Sequence, residues 1–486
     1  MAAPGSTGSV TPTNASTGLA GLADRAARVR FRRAMALMAL TLVAPGSAQL
    51  IAGNRRVGLI ALRIWIGLWA VGLLLVVLSL FDYTFAVGLA FNSGLLLILR
   101  LALFAGAVGW AMLFMDAWRI GQPLTLGLPH RRAVVGVNGL LCFSVAGTLL
   151  FGAHLVGVQR DLAIALSGDG EVTGAHDGRY NVLLMGGDSG AGRWGLRPDS
   201  LTVASVDAET GRTVLIGLPR NMADFPFRED TVMAEEFPDG FDCDGCYLNG
   251  VSTWAEDHTD LFGDTDTPGI DATVMAVEGI TGLNMNYWAM VNLEGFKELV
   301  DAVGGVRLNV RDRIPVGLPT DDFFRYIEPG KQQLDGFETL WFARARYDSD
   351  DYSRMARQKC VMSALLQQVS PQTVLTNFSD LAQATSGMFA TNLPGSEFGR
   401  FIDLALKARS EKVATVSLVP PLINTAAPDI DLIHETVGTA IDRAEGDAAP
   451  SEGTQRKKAR TTTGGSLGSL SDGYAANESD DLATAC

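Results

Sequence analysis

Residues 180–221 read YNVLLMGGDSGAGRWGLRPDSLTVASVDAETGRTVLIGLPRN, and this stretch decides the fold. Three short apolar runs, 181–185, 201–206 and 213–218, are rich in Val, Leu, Ile or Thr and bounded by turn residues, as strands are. The segment from Asp207 to Gly211 is a tight polar connection that suits a hairpin between the second and third runs. An up–down–up antiparallel meander has a geometric consequence. The end of the first strand, the start of the second and the end of the third share one edge of the sheet. Those places hold Asp188, the pair Arg197 and Asp199, and Arg220. Two carboxylates and two guanidiniums on one rim suit a metal ion and a phosphate.

Outward from that stretch, the 486-residue chain is 47% hydrophobic, and the excess is concentrated between about 31 and 157. The formal charge of −14 argues against a nucleic-acid binder. Against an acidic background, clustered arginines are informative. The five histidines show no H-E-x-x-H or similar spacing, which argues against a zinc hydrolase.

Residues 1–30 combine a Gly, Ser, Thr, Ala and Pro-rich start with a basic cluster from Arg25 to Arg33, and read as a disordered cytoplasmic N-terminus. The region 31–158 reads as membrane-embedded, with apolar runs at 34–53, 57–80, 94–118 and 133–157, each near the 20 or so residues that cross a bilayer. The intervening loops carry Arg55 and Arg56, then no basic residue, then Arg119, Arg131 and Arg132. The positive-inside rule places the arginine-bearing loops in the cytoplasm. That requires 34–53 not to span fully, and its interruption at Ala44-Pro45-Gly46-Ser47 suits a re-entrant or interfacial hairpin. Four complete spans is the alternative. The preferred topology leaves everything after about 157 outside the cell, as a linker (159–179), a catalytic domain (180–434) and a disordered tail (435–486).

Within the outer domain, 222–266 reads as a long loop containing Cys243-Asp-Gly-Cys246. A lone C-x-x-C is half a zinc site, a redox pair or a local disulfide; outside the cell the disulfide is the plain choice. A helix at 268–279, a strand at 285–291, an Asn292-capped helix at 293–303 and a strand at 306–310 follow. Further helices are expected within 378–409 and a last strand at 413–418. This alternation predicts an α/β domain, a mixed β-sheet sandwiched by helices, preceded by a helical transmembrane region. A second arginine cluster lies in 334–368. Residues 341–347 read as extended, with Arg344 and Arg346 on one face. In the helix expected from 351, Arg354, Arg357 and Gln358 fall at i, i+3 and i+4. The plain alternative is a solvated charged face, with Asp348, Asp350 and Asp351 balancing the arginines.

Taken together, the chain resembles the LytR-CpsA-Psr family of envelope phosphotransferases. The matching pieces are Leu184-Met-Gly-Gly-Asp-Ser189, Arg197-Pro-Asp199-Ser, Gly217-Leu-Pro-Arg220, Val291-Asn-Leu-Glu-Gly-Phe296 with Leu299-Val-Asp-Ala-Val-Gly-Gly305, Leu334-Asp-Gly336, and Arg344-Ala-Arg346 followed by Arg354-x-x-Arg-Gln358. The resemblance implies an α/β/α fold with an apolar cavity for a lipid. It also implies transfer of a glycan phosphate from a polyprenyl-pyrophosphate carrier to a peptidoglycan hydroxyl, with release of polyprenyl phosphate. By the same resemblance Asp188 and Asp199 serve Mg2+, with Mn2+ as the alternative, and Arg197, Arg220, Arg344 and Arg346 hold the pyrophosphate. Arg354, Arg357 and Gln358 match further motif positions. Asn221 stands where the family often has Asp, Tyr247 where it often has Lys, and Ser353 where Gly is usual. Asn221 and the C-x-x-C resemble an actinobacterial branch.

The residues suit that chemistry. Phosphoryl transfer needs charge neutralised on phosphate oxygens, Mg2+ takes one or two carboxylates plus phosphate oxygens, and guanidiniums bind phosphate bidentately. A lipid-pyrophosphate hydrolase would use the same cradle, and a non-enzymatic envelope regulator would bind without turnover.

Overall fold

The computed structural model describes residues 14–81, 83–168, 170–188, 197–347, 349–368 and 389–446. The chain forms two compact units, one built from residues before 87 together with 94–157, the other from 87–93 together with residues from 158 onward.

The first unit is helical. Helix α1 (Asn14–Val43) leads to the short α2 (Ser47–Ala52), followed by α3 (Arg55–Phe81), α4 (Tyr83–Phe91, which runs from the first unit into the second), α5 (Ser93–Ile120) and α6 (Leu128–Leu166). Three stretches, Arg55–Phe81, Ser93–Thr125 and Leu128–Ile164, are long and apolar enough to cross a membrane. Their apolar side chains face outward, with Trp69 66% and Leu73 65% exposed, the reverse of a water-soluble bundle. The expected interruption of 34–53 is real. Gly46 takes φ +92° between α1 and α2, and any side chain there would meet the Gly58 carbonyl of α3, so the break is also a close backbone contact. Two expectations need correcting. Residues 14–30 are the first half of α1, because Ala, Leu and Arg in that stretch are strong helix formers that a count of Gly and Ser obscures. The linker is shorter than 159–179, because α6 continues to Leu166 and buries Leu162 and Ala163.

The second unit is organised by the meander. Strands β1 (Arg179–Asp188), β2 (Arg197–Asp207) and β3 (Thr213–Leu218) pair antiparallel in sequence order. The β2–β3 turn is closed by Asp207, whose carboxylate accepts the Thr210 N–H at 2.6 Å, and by Gly211 at φ +76°. Then come α7 (Val232–Glu236), α8 (Val251–Asp257), α9 (Pro268–Thr281), β4 (Tyr287–Asn292), α10 (Leu293–Ala302), β5 (Val306–Val310), β6 (Ile314–Val316), β7 (Arg325–Ile327), β8 (Gly330–Leu334), α11 (Gly336–Arg344), α12 (Asp351–Gln368), β9 (Phe389–Thr391), α13 (Phe398–Ser410), β10 (Ala414–Ser417) and α14 (Ile430–Glu445). The main sheet has the order β10-β3-β2-β1-β4-β9, with β1/β4 and β3/β10 parallel.

Period-2 alternation divides the sheet residues between two helical layers. Leu183, Val203 and Ile216 pack with Ala276 and Ile280 of α9 and with Ile433 and Val437 of α14. Leu184, Ala204 and Leu215, on the other face, meet Met362 and Leu366 of α12, while Val182 meets Phe401 and Leu404 of α13. The domain is therefore an α/β/α sandwich, and each fully buried Leu or Ile contributes about 2 kcal/mol. A second small core joins α10, α11 and α12 to the β5–β8 and β6–β7 pairs through Val300, Val306, Ile314, Phe342 and Val361.

The structure corrects three further expectations. Residues 222–266 are not a continuous loop. They contain α7 and α8 and bury Phe225, Phe227 and Phe241 in mutual ring contact, an aperiodic packing that leaves no strand or helix signature. Cys243 and Cys246 form a disulfide within this region, with Cα atoms 5.1 Å apart. Residues 341–347 are not extended. Asp335 caps α11 by accepting the Glu338 N–H at 2.7 Å, and the helix runs to Arg344 because Phe342 is buried one turn on. Finally, the chain from 435 is not a tail until 446. Asp429 caps α14, Gly446 at φ +87° follows it, and Ile433 and Val437 bury its inner face. The expected stretches at 1–13, 378–388 and 447–486, together with Asp82 and Asp348, lie outside the described residues.

Candidate functional site

Asp188 closes β1 directly opposite Arg197, which opens β2 and is exposed. Between them the ladder slips. Gly186 faces Ser200 but Gly187 faces Pro198, so Asp199 is the additional residue of a β-bulge. A bulge re-aims the extra side chain, and here that side chain is a carboxylate at the rim. The Asp199 carboxylate accepts a hydrogen bond from the Arg220 guanidinium, just beyond the end of β3. Arg220 is itself held by its backbone, whose carbonyl accepts the Asn249 N–H at 3.0 Å. Asp188 is placed by its backbone alone; its side chain lies outside what the structure describes.

The second cluster faces the first from the α11–α12 junction. Asp350 starts α12 by accepting the Ser353 N–H at 2.8 Å and the Ser353 hydroxyl at 2.9 Å, so Ser353, where the family often has Gly, serves the helix start. Asp351 then occupies the first turn, where the helix dipole favours an acid. Its carboxylate lies 3.0 Å from Arg354 Nη2, 3.4 Å from Arg220 Nε and 4.0 Å from Arg346 Nη1. Arg354 is 4% exposed and donates from Nη1 to the Asp199 backbone carbonyl at 2.8 Å, which links the two clusters. Burial lowers its pKa, and Asp351 pulls it back up. One turn on, Gln358 accepts the Ser200 hydroxyl at 3.1 Å and donates to the Ala343 carbonyl at 3.3 Å. Arg344, at the end of α11, lies 5.2 Å over the Trp341 ring.

Of the residues expected from sequence, the structure gathers Arg220, Arg346 and Arg354 around Asp351 and ties Asp199 to them through Arg220 and Arg354, with Gln358 one turn beyond Arg354 on α12, Arg344 at the flank and Arg197 on the rim. Arg357 is different. It is fully buried and donates to the Phe342 carbonyl at 2.7 Å, to the Ala345 carbonyl and to Ser349 Oγ at 3.4 Å. Burial, with Arg354 adding repulsion, pushes its pKa down to about 10, which leaves it a cation at neutral pH. Arg357 therefore pins the loop that carries Arg344 and Arg346, and no face of it opens to the rim. Sequence reasoning placed Asp351 only among acids that balance arginines. The signal for its central role was its i, i+3 spacing from Arg354 at a helix start.

Next to Asp199, Arg354 and Gln358 a cleft enters between the sheet and α12. It is narrow, with a volume of about 30 Å³, and is walled on the α12 side of the sheet by Leu215, Met355 and Met362. One end is thus ionic and the body apolar. Among the described residues no three His, Cys, Asp or Glu side chains converge on a metal position. Of the two carboxylates expected to hold a divalent ion, Asp199 is engaged by Arg220; so small a set of acids suits an ion that takes phosphate oxygens and water, and does not suit a closed zinc site.

Fold and site define an α/β/α domain whose sheet rim carries an arginine–carboxylate cluster at the mouth of an apolar cleft. Residues 157–427, more than half of the chain, match the model of the LytR_cpsA_psr family, and the chain belongs to that family. Among curated proteins it is 23% identical over 285 residues to Biofilm regulatory protein A of Streptococcus mutans, 57% of this chain and 64% of that protein. It is 29% identical over 218 residues to the polyisoprenyl-teichoic acid–peptidoglycan teichoic acid transferase TagU of Bacillus cereus, and 28% identical over 239 residues to TagU of Enterococcus faecalis. Those matches span 44% and 48% of this chain and 60% and 66% of the relatives' lengths. Among solved structures, B. subtilis TagV aligns with a TM-score of 0.40 at 22% identity, over 56% of this chain and all of that one.

Proposed function

We propose that this protein is a membrane-anchored phosphotransferase that moves a glycopolymer phosphate from a polyprenyl-pyrophosphate carrier to a peptidoglycan hydroxyl. The observation that carries the reading is the cleft. A narrow cleft, more apolar than polar and bordered by Leu215, Met355 and Met362, opens beside Asp199, Arg354 and Gln358, with Arg220 and Arg346 next to them through Asp351. A ligand that satisfies both parts has an isoprenoid tail and a pyrophosphate head. Membership of a family whose TagU relatives are named teichoic acid transferases supports the same class of reaction.

In this reading the acceptor oxygen bonds to the phosphorus that bears the glycan. The bond from that phosphorus to the bridging oxygen breaks, polyprenyl phosphate leaves with the electron pair, and the proton lost from the acceptor hydroxyl passes to the departing phosphate or to water. Arg220, Arg344 and Arg346 neutralise the charge gathering on the phosphate oxygens. Arg354 fixes Asp199 through its backbone carbonyl, and Asp188 or Asp199 orients the acceptor hydroxyl. A Mg2+ ion held by Asp188 and Asp199 would act as a Lewis acid on those oxygens.

The catalytic domain is read as extracytoplasmic on a multi-pass membrane anchor. Support comes from the basic residues Arg119 in the last turn of α5 and Arg131 and Arg132 in the first turns of α6, on either side of the connection between the two helices. Further support comes from Phe91, at the end of the arginine-free connection, which stacks on Phe398 at 5.2 Å within the second unit.

The test uses the detergent-solubilised full-length protein with a polyprenyl-pyrophosphoryl disaccharide, with and without peptidoglycan fragments. Transfer product that appears only with the fragments is expected. Release of sugar phosphate at the same rate without them would replace transfer by hydrolysis, and binding without turnover would leave a regulator.

A further inference from the structure

Beside the arginine cluster lies an aromatic surface that the phosphate chemistry does not use. The β6–β7 hairpin carries Phe323 at its tip, edge-on to Phe337 at 5.7 Å and 6.2 Å from Trp341, the ring over which Arg344 lies. Its neighbour Phe324 meets Tyr347 at 6.3 Å, and Tyr347 directly follows Arg346. Phe323 is 48% exposed and Tyr347 42%. Two rings therefore stand partly in solvent, one packed against the Trp341 ring beneath Arg344 and the other on the residue that follows Arg346.

Exposed aromatic groups that border a site mark a binding surface. Resting on the phosphotransferase reading, we propose that Phe323 and Tyr347 form the sugar subsite and take the first sugar rings of the glycan carried on the pyrophosphate. Continuity is the first argument. The sugar is bonded to the phosphate that Arg344 and Arg346 would hold, so its ring falls near the Trp341 ring under Arg344, with which Phe323 packs, and near Tyr347, the residue after Arg346. Chemistry is the second. The C–H face of a pyranose lies flat on an aromatic ring, and its rim of hydroxyls needs planar polar partners. Arg325 with Glu338 at 2.8 Å, and Asp321 and Asp322 next to Phe323, supply those partners. Charge is the third. Residues 311–328 hold three basic side chains (Arg311, Arg313, Arg325) and four acidic ones (Asp312, Asp321, Asp322, Glu328), a net charge of −1. An aromatic patch of that sign is not drawn to an anionic lipid surface.

The test compares two probes on the full-length protein, a polyprenyl pyrophosphate without sugar and the same lipid carrying an N-acetylglucosamine disaccharide. The variants are Phe323→Ala with Tyr347→Ala, and the ring-preserving Phe323→Tyr with Tyr347→Phe. The alanine pair is expected to weaken binding of the sugar-bearing lipid about tenfold, leave the sugar-free lipid within twofold, and leave the unfolding temperature in place; the ring-preserving pair is expected to bind both as the parent does. Equal loss for both lipids, or loss for neither, overturns the subsite. Loss for both in phosphatidylglycerol nanodiscs but for neither in micelles reassigns the rings to the lipid surface and also overturns it. Failure of the parent protein to bind the sugar-free lipid strikes the phosphotransferase reading instead, and is told apart by that single arm.

Discussion

At the scale of single residues, the site divides side chains of one type into different tasks by burial. Arg346 is exposed and weakly tethered, Arg354 is buried and joins two clusters, and Arg357 is sealed behind the loop that presents the others. Asp199→Ala and Arg344→Ala are expected to abolish transfer with the unfolding midpoint unchanged within a few degrees; full transfer by either would remove that residue from the mechanism. Arg357→Ala should behave oppositely. It strands the Phe342 and Ala345 carbonyls without donors, a loss of about 3 kcal/mol at roughly 1–3 kcal/mol per unsatisfied group, and should lower the midpoint of denaturant unfolding. A midpoint equal to the parent's would deny Arg357 its place in the fold. Chelation by EDTA should slow transfer and added Mg2+ restore it, whereas an unchanged rate would exclude the ion. Much of this was legible in the sequence, because the meander forces Asp188, Arg197, Asp199 and Arg220 to one rim whatever else the chain does. The roles of Asp351 and Arg357 were not. Spacing states which helix face a side chain is on, and burial depends on what packs against that face.

At the scale of elements, the site is held by the starts and ends of helices and strands. Asp350 fixes where α12 begins, and that start sets Asp351 among Arg220, Arg346 and Arg354. Asp350→Ala removes a cap worth about 1 kcal/mol, and we expect transfer to fall at least tenfold while the protein stays folded at 25 °C. A variant equally active and equally stable would show that the helix start is set by packing alone. Here the sequence misleads in an instructive way. Alternation in Trp341-Phe-Ala-Arg344-Ala-Arg346 imitates a strand, yet the Asp335 cap and the burial of Phe342 carry α11 through to Arg344. The helix end then separates Arg344 from Arg346, one against Trp341 and the other toward Asp351. The last helix was missed for a related reason. Its outer face is polar and it precedes a Gly and Ser-rich segment, so composition hid the buried pair Ile433 and Val437.

At the scale of the whole molecule, the proposed function needs the rim on the outer side of a membrane, and support for that side comes from counting back from the domain. The family match begins at 157, inside α6, so the catalytic domain lies on the side where α6 ends. If α6 crosses, the connection between α5 and α6, flanked by Arg119 at the end of α5 and by Arg131 and Arg132 at the start of α6, lies on the opposite side. On the proposed reading the positive residues are retained in the cytoplasm, which would put the domain outside. That inference does not depend on 34–53, which is split between α1 and α2. The arrangement also requires the arginine-free connection before α5 to be on the domain's side, which agrees with the stacking of Phe91 on Phe398 within the second unit. The test is a pair of single cysteines placed at exposed positions, Leu422→Cys in the domain and Leu124→Cys in the α5–α6 connection, which are 44% and 69% exposed. A membrane-impermeant maleimide added to intact cells should label Leu422→Cys at once and Leu124→Cys only after lysis. Labels exchanged between the two would place the rim in the cytoplasm, where a peptidoglycan hydroxyl is out of its reach, and would take the proposed reaction with it.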